Sequence, residues 1–99
     1  MEGYRDEEVK KIKEREEWEK LMARKYNLTI YFRAGETVRC YYYVGISLYN
    51  GEKRLVILQM SKYTGYITGM FSVPFEISED LIRAIKALVN IDRNINIYN

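Results

Sequence analysis

At 99 residues the chain is long enough for one domain with a modest core and short of the usual two-domain length. Its 16 basic and 14 acidic residues leave a formal charge of +2, which excludes a strong overall field toward nucleic acid or a membrane surface. With no histidine and a single cysteine, an internal disulfide, a cysteine-built zinc site and histidine-based catalysis are excluded as well.

Tyr4 to Tyr26 contains no glycine or proline and consists mostly of strong helix formers, so it predicts a charged N-terminal helix. Between Arg5 and Lys25 eight basic and seven acidic residues interleave. Asp6 and Lys10, Glu7 and Lys11, Lys10 and Glu14, Lys13 and Glu17, Arg15 and Glu19, and Glu16 and Lys20 all stand four apart. Each such pair is worth about 0.2–0.5 kcal/mol, and networks of them gain weight at high temperature. The mixed signs read as a solvated, ion-paired face rather than a nucleic-acid patch. Val9 and Ile12 stand alone in the first half, whereas Trp18, Leu21, Met22 and Tyr26 crowd the second. The second half is therefore expected to dock on the domain, and the first to project into solvent or meet a partner.

Leu28, Ile30 and Phe32 alternate with Thr29, Tyr31 and Arg33, which predicts a short half-buried strand closed by Ala34-Gly35-Glu36. Thr37 to Ser61 reads as two long strands folded back at Asn50-Gly51, because both residues accept the positive φ that a type I′ hairpin turn requires. A two-residue loop sets Tyr49 opposite Glu52, Val44 opposite Ile57 and Cys40 opposite Ser61. Strand alternation then sorts Val38, Cys40, Tyr42, Val44, Ile46, Leu48, Leu55 and Ile57 onto one face, expected to be core. The other face receives Arg39, Tyr41, Tyr43, Gly45, Ser47, Tyr49, Arg54, Val56, Leu58 and Met60. That second face is too aromatic and apolar to be fully wet, and its candidate covers are the N-terminal helix, a second copy of the chain or a flat ligand. Lys62-Tyr63-Thr64-Gly65 predicts a further turn, and Tyr66 to Val73 a fourth strand in which Gly69 signals a bulge or a close backbone approach. Pro74 ends it.

Ser78 to Val89 predicts an amphipathic helix with Ser78 as N-cap, Glu79 and Asp80 at its positive end, and Ile77 stapled to Ile82. Its stripe of Leu81, Ile82, Ile85, Leu88 and Val89 is expected to cover one sheet face. Ile95 and Ile97 alternate with asparagines in the tail from Ile91 to Asn99, which suggests a short edge strand. The expectation is a single α+β domain over 1–99. It has a charged helix at 1–26, a four-stranded antiparallel meander at 27–75, and an amphipathic helix with its tail at 76–99, packed on one face.

No nucleophile and base can be assembled, since no motif places a lysine or carboxylate beside Ser47, Ser61, Ser72 or Cys40. Gly65 and Gly69 lie in a turn and a strand rather than before a helix, so they form no phosphate loop. Glu76, Glu79 and Asp80 are explained by capping and by the helix dipole. No catalytic, cofactor-binding or metal residue is assigned, and the protein is expected to be non-enzymatic. The 10 tyrosines stand out. Tyr41, Tyr43 and Tyr49 share a face with Arg39 and Arg54 and, together with Trp18, form the candidate interface. It is read as a protein-binding surface for a homodimer or for another protein. The alternative is stacking of unpaired bases, with phosphates held by the arginines, as in single-strand nucleic-acid binders. Apolar runs fall far short of the ~18 residues that span a bilayer, and no secretory leader is visible. A soluble protein of the cytoplasm is expected.

The dense charge of Met1 to Tyr26, the Cys40-Tyr41-Tyr42-Tyr43 run, the Tyr49-Asn50-Gly51 turn and the asparagine- and isoleucine-rich end at Ile91 to Asn99 together give the chain a distinctive character. In these features it resembles the small uncharacterised proteins of crenarchaeal filamentous viruses, the lipothrixviruses and rudiviruses. The resemblance implies a hyperthermophilic virus in the cytoplasm of its host and high stability. It implies that a partner other than a second copy is a host or viral protein, and it supplies no functional residues.

Overall fold

The computed structural model describes residues 2–97, with side chains described from 6 to 94. Helix α1 spans Glu2–Lys25, followed by strands β1 (Leu28–Glu36), β2 (Cys40–Tyr49), β3 (Glu52–Ser61) and β4 (Ile67–Pro74). A single 3-10 turn, Phe75–Ile77, leads into helix α2, Ser78–Ile97. The fold is α+β. The strands form an antiparallel meander in the order β1-β2-β3-β4, so β1 and β4 are the edges.

The central hairpin is built as its sequence dictates. Asn50 and Gly51 take φ values of 51° and 78°, the left-handed pair of a type I′ turn, and every pairing from Tyr49–Glu52 to Cys40–Ser61 follows without a slip. Bulges punctuate the outer strands. Thr29 and Ala34 are extra residues on β1 where its register with β2 shifts, and Thr68, beside Gly69, is extra on β4. The bulge at Thr29 changes the sorting of β1, because it places Leu28 on one face and Ile30 and Phe32 on the other.

The two faces have exchanged the roles expected of them. The buried core is Met22, Tyr43, Val56, Leu58 and Met60, with Trp18, Tyr26, Leu28, Tyr31, Tyr41 and Ile67 packed around it. The tyrosine-bearing face is therefore the covered one, and α1 is its cover. Trp18, Met22 and Tyr26 recur every four residues and form one stripe toward the sheet. This face also satisfies polar groups that the other cannot. The Tyr43 hydroxyl donates to Glu19, and the Ser47 hydroxyl donates to the Tyr26 carbonyl where α1 ends. Asn27, with φ of 53°, turns the chain from α1 into β1. Of the ion pairs expected along α1, Arg15 with Glu19 at 3.7 Å is the one closed among the described residues.

The C-terminal region differs from expectation in three ways. Ser78 has helical torsions and its backbone N–H donates to the Phe75 carbonyl, while its buried hydroxyl has no partner among the described residues. The 3-10 turn supplies the start of the helix that a side-chain cap was expected to supply. The helix also continues through the asparagine-rich segment to Ile97, where an edge strand was expected, and the last two residues lie outside the described ones. Finally, α2 does not lie over the sheet. Ile82, Ile85, Leu88, Val89 and Ile91 are all exposed. The radius of gyration of 16.8 Å exceeds the roughly 13 Å of a compact domain of this length. The smallest dimension, 18 Å, holds a sheet and one helix layer at about 10 Å separation but not a third layer.

Candidate functional site

The sequence-predicted interface residues fall into three environments. Trp18, Tyr41 and Tyr43 come together in the seam between α1 and the sheet. Tyr43 is 0% exposed, with Tyr31 and Tyr41 meeting its ring edge-on at centroid distances of 6.1 and 6.5 Å. Burial, and then the hydrogen bond to the Glu19 carboxylate, push the Tyr43 hydroxyl pKa well above that of free tyrosine. Burial, with help from Glu19 and Glu16, raises that of Tyr31 too. The Trp18 ring lies flat on Gly65, where an added Cβ would sit 2.5 Å from ring atoms.

Tyr41 is ringed by cations. Lys62, Arg33 and Arg15 stand 5.0, 5.7 and 5.8 Å from its ring centroid. The Lys62 ammonium also donates to Glu36, and this bond holds the Glu36 carboxyl below the usual carboxylate range. Trp18, Tyr41, Val38, Tyr63, Lys11, Glu14 and Lys62 line a shallow hollow of about 390 Å³ beside this cluster. The Tyr41 cations are thus spent on the ring and on neighbouring carboxylates.

Arg39 and Tyr49 are exposed at opposite ends of β2. Arg54 is tied down as a clamp between β3 and β4, donating from Nε to the Ser72 hydroxyl at 2.7 Å, from one terminal nitrogen to the Ser72 carbonyl at 3.2 Å, and from the other to Glu52 at 3.1 Å. The six residues therefore do not make one contact surface, and Tyr43 belongs to the core instead.

The open surface is on the other side. Ile30 and Phe32 on β1, Leu48 on β2 and Phe71 on β4 are exposed, and Val44, Ile46, Leu55, Ile57 and Val73 between them are only half buried. Among the described residues no element lies over this aliphatic field. Its limits are polar. At one end the Tyr42 hydroxyl donates to Gln59 at 2.9 Å and Gln59 donates to Thr68 at 2.8 Å. At the hairpin end Lys53 stands 5.4 Å over the Phe75 ring. Sequence reasoning named most of these residues but assigned them to the core. The signal that could have separated the faces is the four-residue spacing of Trp18, Met22 and Tyr26 together with Glu19, a carboxylate positioned to accept from a tyrosine.

Among the described residues no three cysteine or carboxylate groups gather in a metal-holding cluster. No helix among them is long and apolar enough to cross a membrane. Comparison with protein-family models, curated proteins and solved structures returns no match for this chain.

Proposed function

We propose that the protein is a non-enzymatic binding or structural module that acts through protein–protein contacts, and that its contact surface is the open aliphatic face of the sheet. One observation carries this reading: Phe32, on the edge strand β1, is 70% exposed beside Val44, at the margin of an apolar field running across four strands. Monomeric soluble proteins rarely expose contiguous apolar patches beyond about 300–600 Å², and larger ones mark interaction sites. The edges are poorer candidates, since bulges at Thr29, Ala34 and Thr68 and the proline ending β4 blunt both against strand addition. Burial of Tyr43 under α1 ranks this reading above stacking of single-stranded nucleic acid, because the central stacking residue is out of reach of a base. The setting we attach to it, a hyperthermophilic archaeal virus acting in the cytoplasm of its host, is supported by the resemblance noted above.

Light scattering on the wild type and on Phe32→Glu tests the reading. A mass above that of one chain that falls to one chain in the variant supports it, because a charge in an apolar contact blocks association while leaving an exposed position of the monomer undisturbed. A wild type that stays monomeric at high concentration and binds no apolar peptide or helix contradicts it.

A further inference from the structure

Two apolar surfaces lack a cover among the described residues, and they match. The first is the sheet face just described. The second is the stripe of α2, where Ile82, Ile85, Leu88 and Val89 are each between 41% and 67% exposed. From Leu81 to Val89 the stripe runs about 12 Å at 1.5 Å per residue, close to the ~14 Å across the three interstrand spacings of the sheet. Arg83 and Lys86 lie on the opposite side of the helix, where they would stay in solvent. We propose that two copies of the chain exchange their C-terminal helices, α2 of each lying on the open sheet face of the other. This inference rests on the reading of that face as a protein-contact surface and names its occupant.

Three further observations favour a second copy. First, α2 leaves the sheet through a short connection: Pro74, fixed at φ of −54° and ψ of 137°, and the 3-10 turn Phe75–Ile77. The Pro74 ring fixes φ, and the chain is extended there before the 3-10 turn begins. The turn is anchored where it lies, because Lys53 stacks on Phe75 and Ser78 is buried. Second, the area is sufficient. A large apolar side chain about half exposed leaves on the order of 100 Å² open. The eight exposed residues of the two surfaces then give roughly 800 Å² per copy, about 1,600 Å² for the pair, within the range of stable interfaces. Third, the exchange closes. Each copy offers one sheet face and one helix stripe, so a two-fold pair leaves neither surface uncovered and no further copy is recruited.

Cysteine pairing between differently substituted chains tests this. In a Cys40→Ser background, single cysteines are placed on α2 (Ile82→Cys, Ile85→Cys, Leu88→Cys) and on the sheet (Phe32→Cys, Ile46→Cys, Phe71→Cys). Helix and sheet variants are then mixed pairwise, equilibrated and oxidised. The expected result is a disulfide-linked dimer in at least one helix–sheet mixture, at least tenfold more than in either variant oxidised alone. A chain carrying both cysteines that closes on itself as a monomer overturns the exchange. A wild-type dimer by light scattering that links only sheet to sheet also overturns it, but leaves the open face as a contact surface. A monomer with no crosslink, unaltered by Phe32→Glu, overturns both. Leu88→Glu gives an independent check, since it places charge at an exposed helix position and should convert the dimer to a folded monomer with unchanged helix content.

Discussion

Phe32 and Tyr43 lie on neighbouring strands of one sheet, on opposite faces, and their surroundings could hardly differ more. The Tyr43 ring is fully buried, wedged between Tyr31, Tyr41 and the underside of α1, whereas the Phe32 ring is 70% exposed with nothing over it. The difference shows what a heavily charged helix can cover. The tyrosine face can be sealed by α1, because Glu19 accepts from the Tyr43 hydroxyl and the Tyr26 carbonyl, just past the helix end, accepts from Ser47. The other face is aliphatic and phenyl between polar limits whose groups pair with one another, and it calls for an apolar cover. The chain carries one in α2 but does not lay it on its own sheet.

The strongest way to break this contrast is to truncate a ring on each face. Tyr43→Ala should cost about 3–5 kcal/mol, as expected for removal of a fully buried aromatic side chain. Phe32→Ala, measured by urea unfolding at concentrations too low for association, should stay within about 0.5 kcal/mol of the wild type. Equal losses at the two positions would mean that the open face is covered within one chain.

Next in size is Gly65→Ala. Gly65 has φ of 74°, and an added Cβ would meet the Trp18 ring at 2.5 Å. The backbone strain and the displaced ring together should cost about 2–3 kcal/mol and shift the emission of the single tryptophan. Gly51→Ala is the control, since φ there is 78° but nothing lies within 4 Å of the new Cβ. It should cost about 1–2 kcal/mol and leave the emission unchanged.

Tyr43→Phe removes only the hydroxyl and should cost about 1–2 kcal/mol by taking from Glu19 its hydrogen-bond donor and leaving it the longer Arg15 contact. It should also flatten the alkaline limb of the stability curve. The folded-state pKa of Tyr43 is raised, so its contribution is fully present below the ordinary tyrosine pKa. As pH rises beyond that value the unfolded chain ionises first, and stability falls by up to about 1.4 kcal/mol per pH unit. Denaturant midpoints between pH 9 and 11 should therefore drop more steeply for the wild type than for Tyr43→Phe.

The smallest effect lies at the rim. Glu36 titrates below the usual range because Lys62 donates to it, so its contribution is present above the ordinary carboxylate pKa and is lost as pH falls through the lowered value. Lys62→Met should return the Glu36 titration, followed by NMR, to the ordinary range.

Much of the fold was legible because its signals are local. Asn50-Gly51 determined the turn, the turn determined the register of β2 against β3, and period-two alternation sorted their side chains correctly into two sets. Which set faces the core was not legible from that alternation, because both sets are apolar. The decision lies in a tertiary match between Glu19 on α1 and the Tyr43 hydroxyl, 24 residues apart. The candidate interface inherited that inversion, so Tyr43 was assigned to a contact surface and Ile46 to the core. The split of Leu28 from Ile30 and Phe32 was hidden for a different reason. A bulge at Thr29, whose hydroxyl donates to the Ile46 carbonyl at 3.1 Å, has no glycine to announce it. The stripe of α2 was read correctly, but a pattern of apolar residues does not say whose sheet it will meet.

The central claim is that one face is covered within the chain and the other between chains. The most direct test is an isotope-filtered NOE experiment on a mixture of labelled and unlabelled protein, which reports only contacts between different copies. Intermolecular peaks should join the methyls of Ile85 and Leu88 to the rings of Phe32 and Phe71, while the Tyr43 ring contacts Met22 only within its own chain. Intermolecular peaks at Tyr43, or α2-to-sheet contacts found only within a single chain, would contradict the account.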